Sequence, residues 1–306
     1  VTEPDGRGPE VSVLLPAYRS EATIARCLEA LARQTYRDFE VLVVDSDPGA
    51  AAERTVRAGF PWVLYEHSPR RLLPHAARNR GVERARGDLL VFSDPDCYAR
   101  PDWLARLVAA HRENGGVVVG AIACFGAGWR ETGIHLCKFS KWLPAGAARP
   151  LDMSPTANML LSRRDFAAAA GFPGGELLGD VTLSRRLREL GHELRFEPRA
   201  VVEHHHTQGV GAFLAERYER GRLFGQLRAA WLGERRWAIA FYLAVTLLPI
   251  RLARILTLVA RDARRAAQAG RYLTTLPLVA AGHAASLAGE AAVYVRRLAA
   301  FRSERG

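Results

Sequence analysis

The stretch Asp88-Leu-Leu-Val-Phe-Ser-Asp-Pro-Asp-Cys97 is compatible with few folds. Leu89 to Phe92 is a short apolar run with the length of a buried strand. It stops at two carboxylates, Asp94 and Asp96, on either side of a proline. Open α/β sheets present functional groups at the carboxyl ends of such strands, and ligands collect in the crevice there. Carboxylates two residues apart repel each other unless a cation or a donor lies between them. Oxygen ligands at that spacing suit Mg²⁺ or Mn²⁺, ions that also bind phosphate oxygens. A solvated Asp-Pro-Asp turn has the same letters, so the rest of the chain has to decide.

Strand and helix signals alternate around this stretch. Val11 to Leu15 is a β-branched and apolar run that ends at Pro16, and Phe39 to Val44 is another that ends at Asp45. Between them Ile24, Cys27, Leu28 and Leu31 share a helical face. Trp62 to Tyr65 reads as a third strand. A helix with Ala76, Ala77 and Val82 on its core face leads to Gly87 and the strand before Asp94. Further on, Pro101 to Asn114 is helical, Val117 to Val119 and Asn158 to Ser162 are short strands, and Leu177 to Asp180 opens a helix that Gly191 ends. Leu194 to Val202 reads as strand, bend, strand, and runs into Glu203-His-His-His206. Short turns between alternating elements predict a mostly parallel, Rossmann-like α/β sheet flanked by helices. Residues 126–155, rich in Gly, Pro and Trp, give no clear element.

Four scattered cysteines, Cys27, Cys97, Cys124 and Cys137, have no Cys-x-x-Cys spacing, which suits reduced thiols in a cytoplasmic compartment. No charged-then-apolar signal segment follows Val1, so no export signal is expected in the visible sequence. Of the net charge of +11, nearly all lies at the end of the chain. Residues 1–206 carry 27 basic and 26 acidic side chains, whereas residues 207–306 carry 16 Arg and 6 acids. Such a tail meets nucleic acid or anionic lipid.

With these residues in view, the chain resembles family 2 glycosyltransferases of the GT-A fold over roughly residues 10–206. Val13-Leu-Leu-Pro-Ala-Tyr18 with Glu21 is similar to the family's first strand and nucleotide loop, and Gln34-Thr-Tyr36 with Glu40 to Asp45 to its second strand. Ala77-Arg-Asn-Arg-Gly81 through Asp88 resembles the helix leading into the Asp-x-Asp signature at Asp94 and Asp96. Asn158, Arg164, Ala170-Gly-Phe172, Asp180 and Arg186-Leu187 resemble the acceptor half, and Pro198-x-Ala200-x-Val202-x-His204 the closing strand. Three positions depart from the family pattern. Arg19 stands where Asn is usual, Ser46 replaces the second acid of the strand-two pair, and Gly179 replaces the Glu before the catalytic Asp.

The resemblance implies metal-dependent, inverting transfer of a sugar from a UDP- or GDP-sugar to an acceptor hydroxyl. Asp96 becomes the direct ligand of Mn²⁺ or Mg²⁺, Asp94 reaches the ion or the donor ribose, and His204 is the third ligand. His204 and His206 fall on one side of an extended segment, so both stay in view. Asp180 becomes the general base, although the start of a helix also suits a capping carboxylate. Pro16, Ala17, Tyr18, Glu21, Asp45 and Arg78 fall to the nucleotide-sugar, and Asn158 and Arg186 to the acceptor region. Trp129 and Trp142 could face a sugar or the core.

Beyond the sheet, Trp237 to Ile250 is apolar for fourteen residues. Arg251, Arg254, Arg261, Arg264 and Arg265 then fall within about 140° of a helical wheel, opposite Leu252, Ile255, Leu256, Val259 and Ala263. That pattern describes a helix lying in a membrane interface. Tyr272 to Val295 is long enough to span a bilayer, for which about 20 residues suffice, but Pro277, His283 and Glu290 interrupt it. The expected organisation is a leader over 1–9, a catalytic domain over 10–212, and apolar and amphipathic helices over 213–306. The latter predict peripheral, monotopic or re-entrant attachment at the cytoplasmic face, a lipid-linked or saccharide acceptor, and no nucleic-acid partner. A nucleotidyltransferase would need a Gly/Arg-rich loop after the first strand, which Pro16-Ala-Tyr-Arg19 is not. A silent sugar-binding or scaffold subunit fits Gly179 but not the retained Asp94, Asp96 and Asp180.

Overall fold

A computed structural model describes residues 8–173 and 178–303. The leader up to Arg7, and Leu177 at the approach to the Asp180 helix, lie outside the described residues. Two compact units emerge. One runs to Phe125 and resumes over Pro144–His205; the other comprises Gly126–Leu143 and the chain from His206 onward.

The first unit opens with β1 (Val11–Ala17), α1 (Ile24–Ala32), β2 (Phe39–Asp45), α2 (Glu53–Gly59), β3 (Leu64–His67), α3 (Pro74–Arg84) and β4 (Leu89–Ser93). β5 (Cys97–Ala99), α4 (Trp103–Asn114) and β6 (Val117–Cys124) follow. After α5 (Trp129–Phe139), which belongs to the second unit, come β7 (Arg149–Leu151), β8 (Asn158–Ser162), α6 (Arg163–Ala168), α7 (Gly179–Glu189) and β9 (Leu194–His204). The strands form one nine-stranded sheet in the order β3-β2-β1-β4-β8-β6-β9-β5, with β7 also on β9. β1 pairs in parallel with β2 and β4, and β2 with β3, so the half that holds Asp45 and Asp94 is wholly parallel. The other half is mixed. β8 runs antiparallel to β4 and β6, β9 parallel to β6, and β5 and β7 antiparallel to β9.

β1, β2 and β4 are buried along almost their whole length, as largely apolar strands are in a sheet covered on both faces. α3 lies close on this sheet because Gly81 lets it. A Cβ there would come within 3.0 Å of Leu14 Cδ2. The helix therefore buries His75, Ala77, Arg78 and Gly81, while Ala76 and Val82 stay half-exposed. This corrects the expected aliphatic face to a partly polar one. The third strand begins at Leu64, two residues later than its apolar letters suggest. The predicted bend in β9 is a register shift, because Gly120 pairs with Glu197 but Ala121 with Val201.

The second unit contains α5, α8 (Val210–Trp231), α9 (Arg236–Leu247), α10 (Pro249–Arg265) and α11 (Ala269–Ser303). The aliphatic side of α10 is used inside the protein. Val259 and Ala263 are buried with Ile134, Leu136, Phe213, Tyr272 and Val279, and Ile255 and Leu256 pack against them. By length and composition α11 could cross a membrane, and α9 and α10 would count as a second span only if joined across a 63° bend. α11 also holds the buried Glu290, which accepts from Arg228, from Arg251 at 2.7 Å and from Tyr294.

Candidate active site

The strand order reverses between β1 and β4, and in doubly wound sheets the ligand crevice opens at the carboxyl ends of the strands flanking such a reversal. The ends of β1, β2 and β4 bring Pro16 and Ala17, Asp45, and Asp94 to that edge. β4 cannot continue through Pro95, which has no N–H to give a neighbouring strand. The chain instead closes a turn in which Cys97 N donates to Asp94 O at 3.0 Å.

β5 then returns beside β9 with Cys97 opposite His204. The pairing is locked where His205 N donates to Asp96 O at 2.8 Å. His204 Nε2 lies 3.7 Å from Asp96 Oδ2. Asp94, Asp96, Cys97 and His204 each offer a ligand atom, all within 4.8 Å of one another. His204, more than a hundred residues from Asp94 and Asp96 in sequence, is thus brought to them by strand pairing. His206 takes another course. It lies in the second unit, 3.1 Å from His135 Nδ1 and stacked on Phe139.

Two carboxylates and an imidazole are the donor chemistry that fits Mn²⁺ or Mg²⁺ next to phosphate. The neighbouring thiols of Cys97 and Cys27 are buried, and burial first, then Asp96 and Asp94, push both well up. Asp94 already has a cation beside it. Arg78, buried on α3, forms an ion pair with its carboxylate. One turn earlier on the same helix is His75, stacked on Phe172 with ring centroids 4.7 Å apart.

At the first crevice, Asp45 is buried and both of its oxygens are engaged. Asp47 N donates to Oδ1 at 2.9 Å and the Tyr65 hydroxyl to Oδ2 at 2.8 Å. Burial, then the bond to Asp45, push the Tyr65 phenol up, so it remains a donor. Ala17 is the register partner of Asp45. Tyr18 follows, half-buried, with the Arg71 guanidinium 4.6 Å from its ring centre, and Glu21 is exposed. Arg19 has φ of +51°, a left-handed conformation that Asn tolerates better than Arg does. Ser46, in place of an acid, donates to Leu72 O at 3.4 Å.

Asp180 is the second residue of α7, buried, with Oδ1 accepting from Val181 N at 3.0 Å. The N-cap is Leu178, with no side-chain cap bond, so Asp180 is not the capping residue. Gly179 before it faces the ring of His75. Arg186 donates to Ala169 O at 3.3 Å, tying α7 to the end of α6. Asn158 lies inside the sheet. Its amide donates to Ala121 O and Ala200 O and accepts from Trp103 Nε1 at 2.9 Å, so both of its N–H groups are used in the core. In the second unit Trp142 is buried, while Trp129 is half-exposed and donates to Thr274 O. His75, Tyr65 and Cys97 were not singled out by their letters, because each owes its place to a contact distant in sequence.

The family model for glycosyl transferase family 2 matches residues 12–165. The chain is similar to glycosyltransferase AglE of Haloferax volcanii, 28% identical over 253 residues, which is 79% of this chain and 82% of that protein. It is also similar to the succinoglycan biosynthesis protein ExoM of Rhizobium meliloti, 30% identical over 238 residues, 68% of this chain and 74% of that one. Its fold is similar to that of the mannosyltransferase PcManGT from Pyrobaculum calidifontis, solved in complex with GDP-Man and Mn²⁺. The TM-score is 0.55 at 20% identity, covering 90% of this chain and 86% of that one.

Proposed function

This chain belongs to glycosyl transferase family 2 and has the GT-A fold, and from that premise we propose that it is a metal-dependent, inverting hexosyltransferase. Its donor is a UDP- or GDP-sugar, and its acceptor is a hydroxyl of a lipid-linked or growing saccharide in surface polysaccharide or glycolipid synthesis. The observation that carries this reading is the convergence of Asp94, Asp96 and His204 within 4.8 Å at the end of the central strand.

In this reading Asp96 and His204 hold the ion, with Asp94 turned toward it or the donor ribose and steadied by Arg78. An imidazole beside two carboxylates favours Mn²⁺ over Mg²⁺, which prefers all-oxygen shells. Bound there, the ion would neutralise charge on the leaving diphosphate. Asp45, fixed by Tyr65 and the Asp47 amide, accepts a hydrogen bond from the nucleoside, and Tyr18 lines the same edge. Asp180 takes the proton of the acceptor hydroxyl as its oxygen attacks the anomeric carbon. That carboxylate lies in the first turn of α7, where backbone N–H groups point outward. Attack opposite the leaving group in one displacement inverts the anomeric centre.

Work at the cytoplasmic face of a membrane is supported by the arginine-flanked apolar helices and suits a lipid-linked acceptor. A panel of UDP- and GDP-sugars, screened by thermal shift with Mn²⁺ and with chelator, tests donor class. The anomeric configuration of the product, read by NMR, tests inversion. Metal-independent stabilisation by every donor, or a retained configuration, would remove the reading.

A further inference from the structure

Helix α9 is apolar on every side, and only half of it is covered. Ala238, Ile239 and Thr246 are buried, and Tyr242 and Leu243 pack on the cluster of Ala229, Ile239 and Tyr294. The opposite side presents Trp237, Ala240, Phe241, Ala244 and Leu247, spaced so that they share one helix face. Trp237 is 70% exposed, Phe241 59% and Leu247 67%, and the stripe continues round the bend through Leu248 at 50% and Ile250 at 72%. Exposed apolar residues on soluble proteins are normally scattered singly, and a contiguous stripe marks a contact.

The charges around the stripe identify what covers it. No charged residue lies between Arg236 and Arg251. Arg235 and Arg236 are exposed before the stripe and Arg254 after it, and among the described residues none of the three has an ion pair. Arg251 is turned inward to Glu290 and Thr246, while Arg261 and Arg265 share Asp262. An apolar layer bordered by negative charge is the complement of this pattern, and an anionic phospholipid leaflet supplies both. The 12 residues of α9 rise about 18 Å, short of the roughly 30 Å hydrocarbon core of a bilayer. The chain then turns by 63° into α10. Such an element enters one leaflet and does not cross.

We infer that α9 and its bend into α10 are a monotopic membrane anchor. Trp237, Phe241, Leu247 and Ile250 enter the acyl layer, and Arg235, Arg236 and Arg254 meet anionic phospholipid headgroups. The inference rests on the proposed role at a membrane but concerns this element alone.

The test uses the full chain with phosphatidylcholine vesicles, with and without phosphatidylglycerol. Parent protein co-sediments with the anionic vesicles. Phe241→Ser combined with Ile250→Ser lowers the partition coefficient at least about tenfold, since each side chain leaves apolar surroundings. Arg236→Glu with Arg254→Glu abolishes the preference for phosphatidylglycerol. Brominated acyl chains quench parent fluorescence more than that of Trp237→Phe, a comparison that needs no destabilising variant. Equal partitioning of parent and Phe241→Ser/Ile250→Ser, or identical quenching of parent and Trp237→Phe, would overturn the inference. So would a lipid-free dimer that shields Trp237. Nucleotide-sugar binding, followed in the same samples, separates the two readings. Vesicle binding lost with donor binding intact removes only the anchor, and the converse removes only the transferase.

Discussion

His75 occupies the space that a side chain at position 179 would need. A Cβ built on Gly179 would lie 2.7 Å from the imidazole Cδ2 and 2.8 Å from Cγ. The acid that the family usually carries before its catalytic Asp is therefore excluded by a ring from α3, not simply missing. The same ring stacks on Phe172 and is one turn from Arg78, which pairs with Asp94. Positions 75 and 179 should then be coupled. Gly179→Ala alone is expected to cost about 1–3 kcal/mol through overpacking. In combination with His75→Ala the penalty shrinks, giving a coupling of about 1 kcal/mol or more. Thermal unfolding of the two single variants and the double variant measures this, and strict additivity would refute it.

Metal affinity should follow His204 and ignore its strand partner. His204→Gln is expected to raise the Mn²⁺ midpoint for nucleoside diphosphate release by at least about tenfold, the loss that follows even from removing an outer partner of a ligand. Cys97→Ser should leave the midpoint unchanged, because the proposed ligand set is Asp94, Asp96 and His204. A metal titration of both variants separates these outcomes.

Donor affinity should depend on the hydroxyl that fixes Asp45. Tyr65→Phe removes the 2.8 Å bond to Asp45 Oδ2 and should raise the donor KM by about fivefold, the equivalent of one hydrogen bond. The proposed role of Asp180 does not involve this bond, so kcat should stay within about twofold. A fall in kcat at unchanged KM would show that Asp45 serves the transition state instead.

Acid should weaken the second unit through Glu216. Burial would raise this carboxyl, but Lys138 at 3.1 Å and Gln208 together hold it below its ordinary value of 4.5. A depressed folded pKa stabilises above the unfolded value and loses that contribution as pH falls through the folded one. Glu216→Gln should therefore lower Tm at neutral pH, and the difference from the parent should shrink as pH drops below about 4.5. A pH series of melting curves checks this; a gap that persists in acid would contradict it.

The parallel half of the sheet could be read from its letters because the largely apolar runs of β1, β2 and β4 stop at or just before Pro16, Asp45 and Asp94. The candidate metal cluster was legible only in part. Asp94 and Asp96 advertise themselves, whereas His204 joins them through a strand register that no local pattern encodes. α5 was hidden because its glycine looks like a loop signal. Gly133 is in fact where Leu278 packs, and a Cβ there would sit 2.8 Å from Leu278 Cδ2. Arg254, Arg261, Arg264 and Arg265 of α10 are outward as expected, but Arg251 turns in to Glu290, the aliphatic side faces protein, and the exposed stripe belongs to α9. Periodicity cannot say which side of an all-apolar helix is covered, since both sides read alike.

The most direct test of the catalytic reading is nucleoside diphosphate release from a matched donor and acceptor, with Mn²⁺, with chelator, and with Asp96→Asn. Release that needs Mn²⁺, stops with chelator and falls at least about a hundredfold in Asp96→Asn is the expected result, since metal charge stabilisation contributes several kcal/mol. Undiminished release by Asp96→Asn, or release unaffected by chelator, would contradict a metal centre built on Asp94, Asp96 and His204.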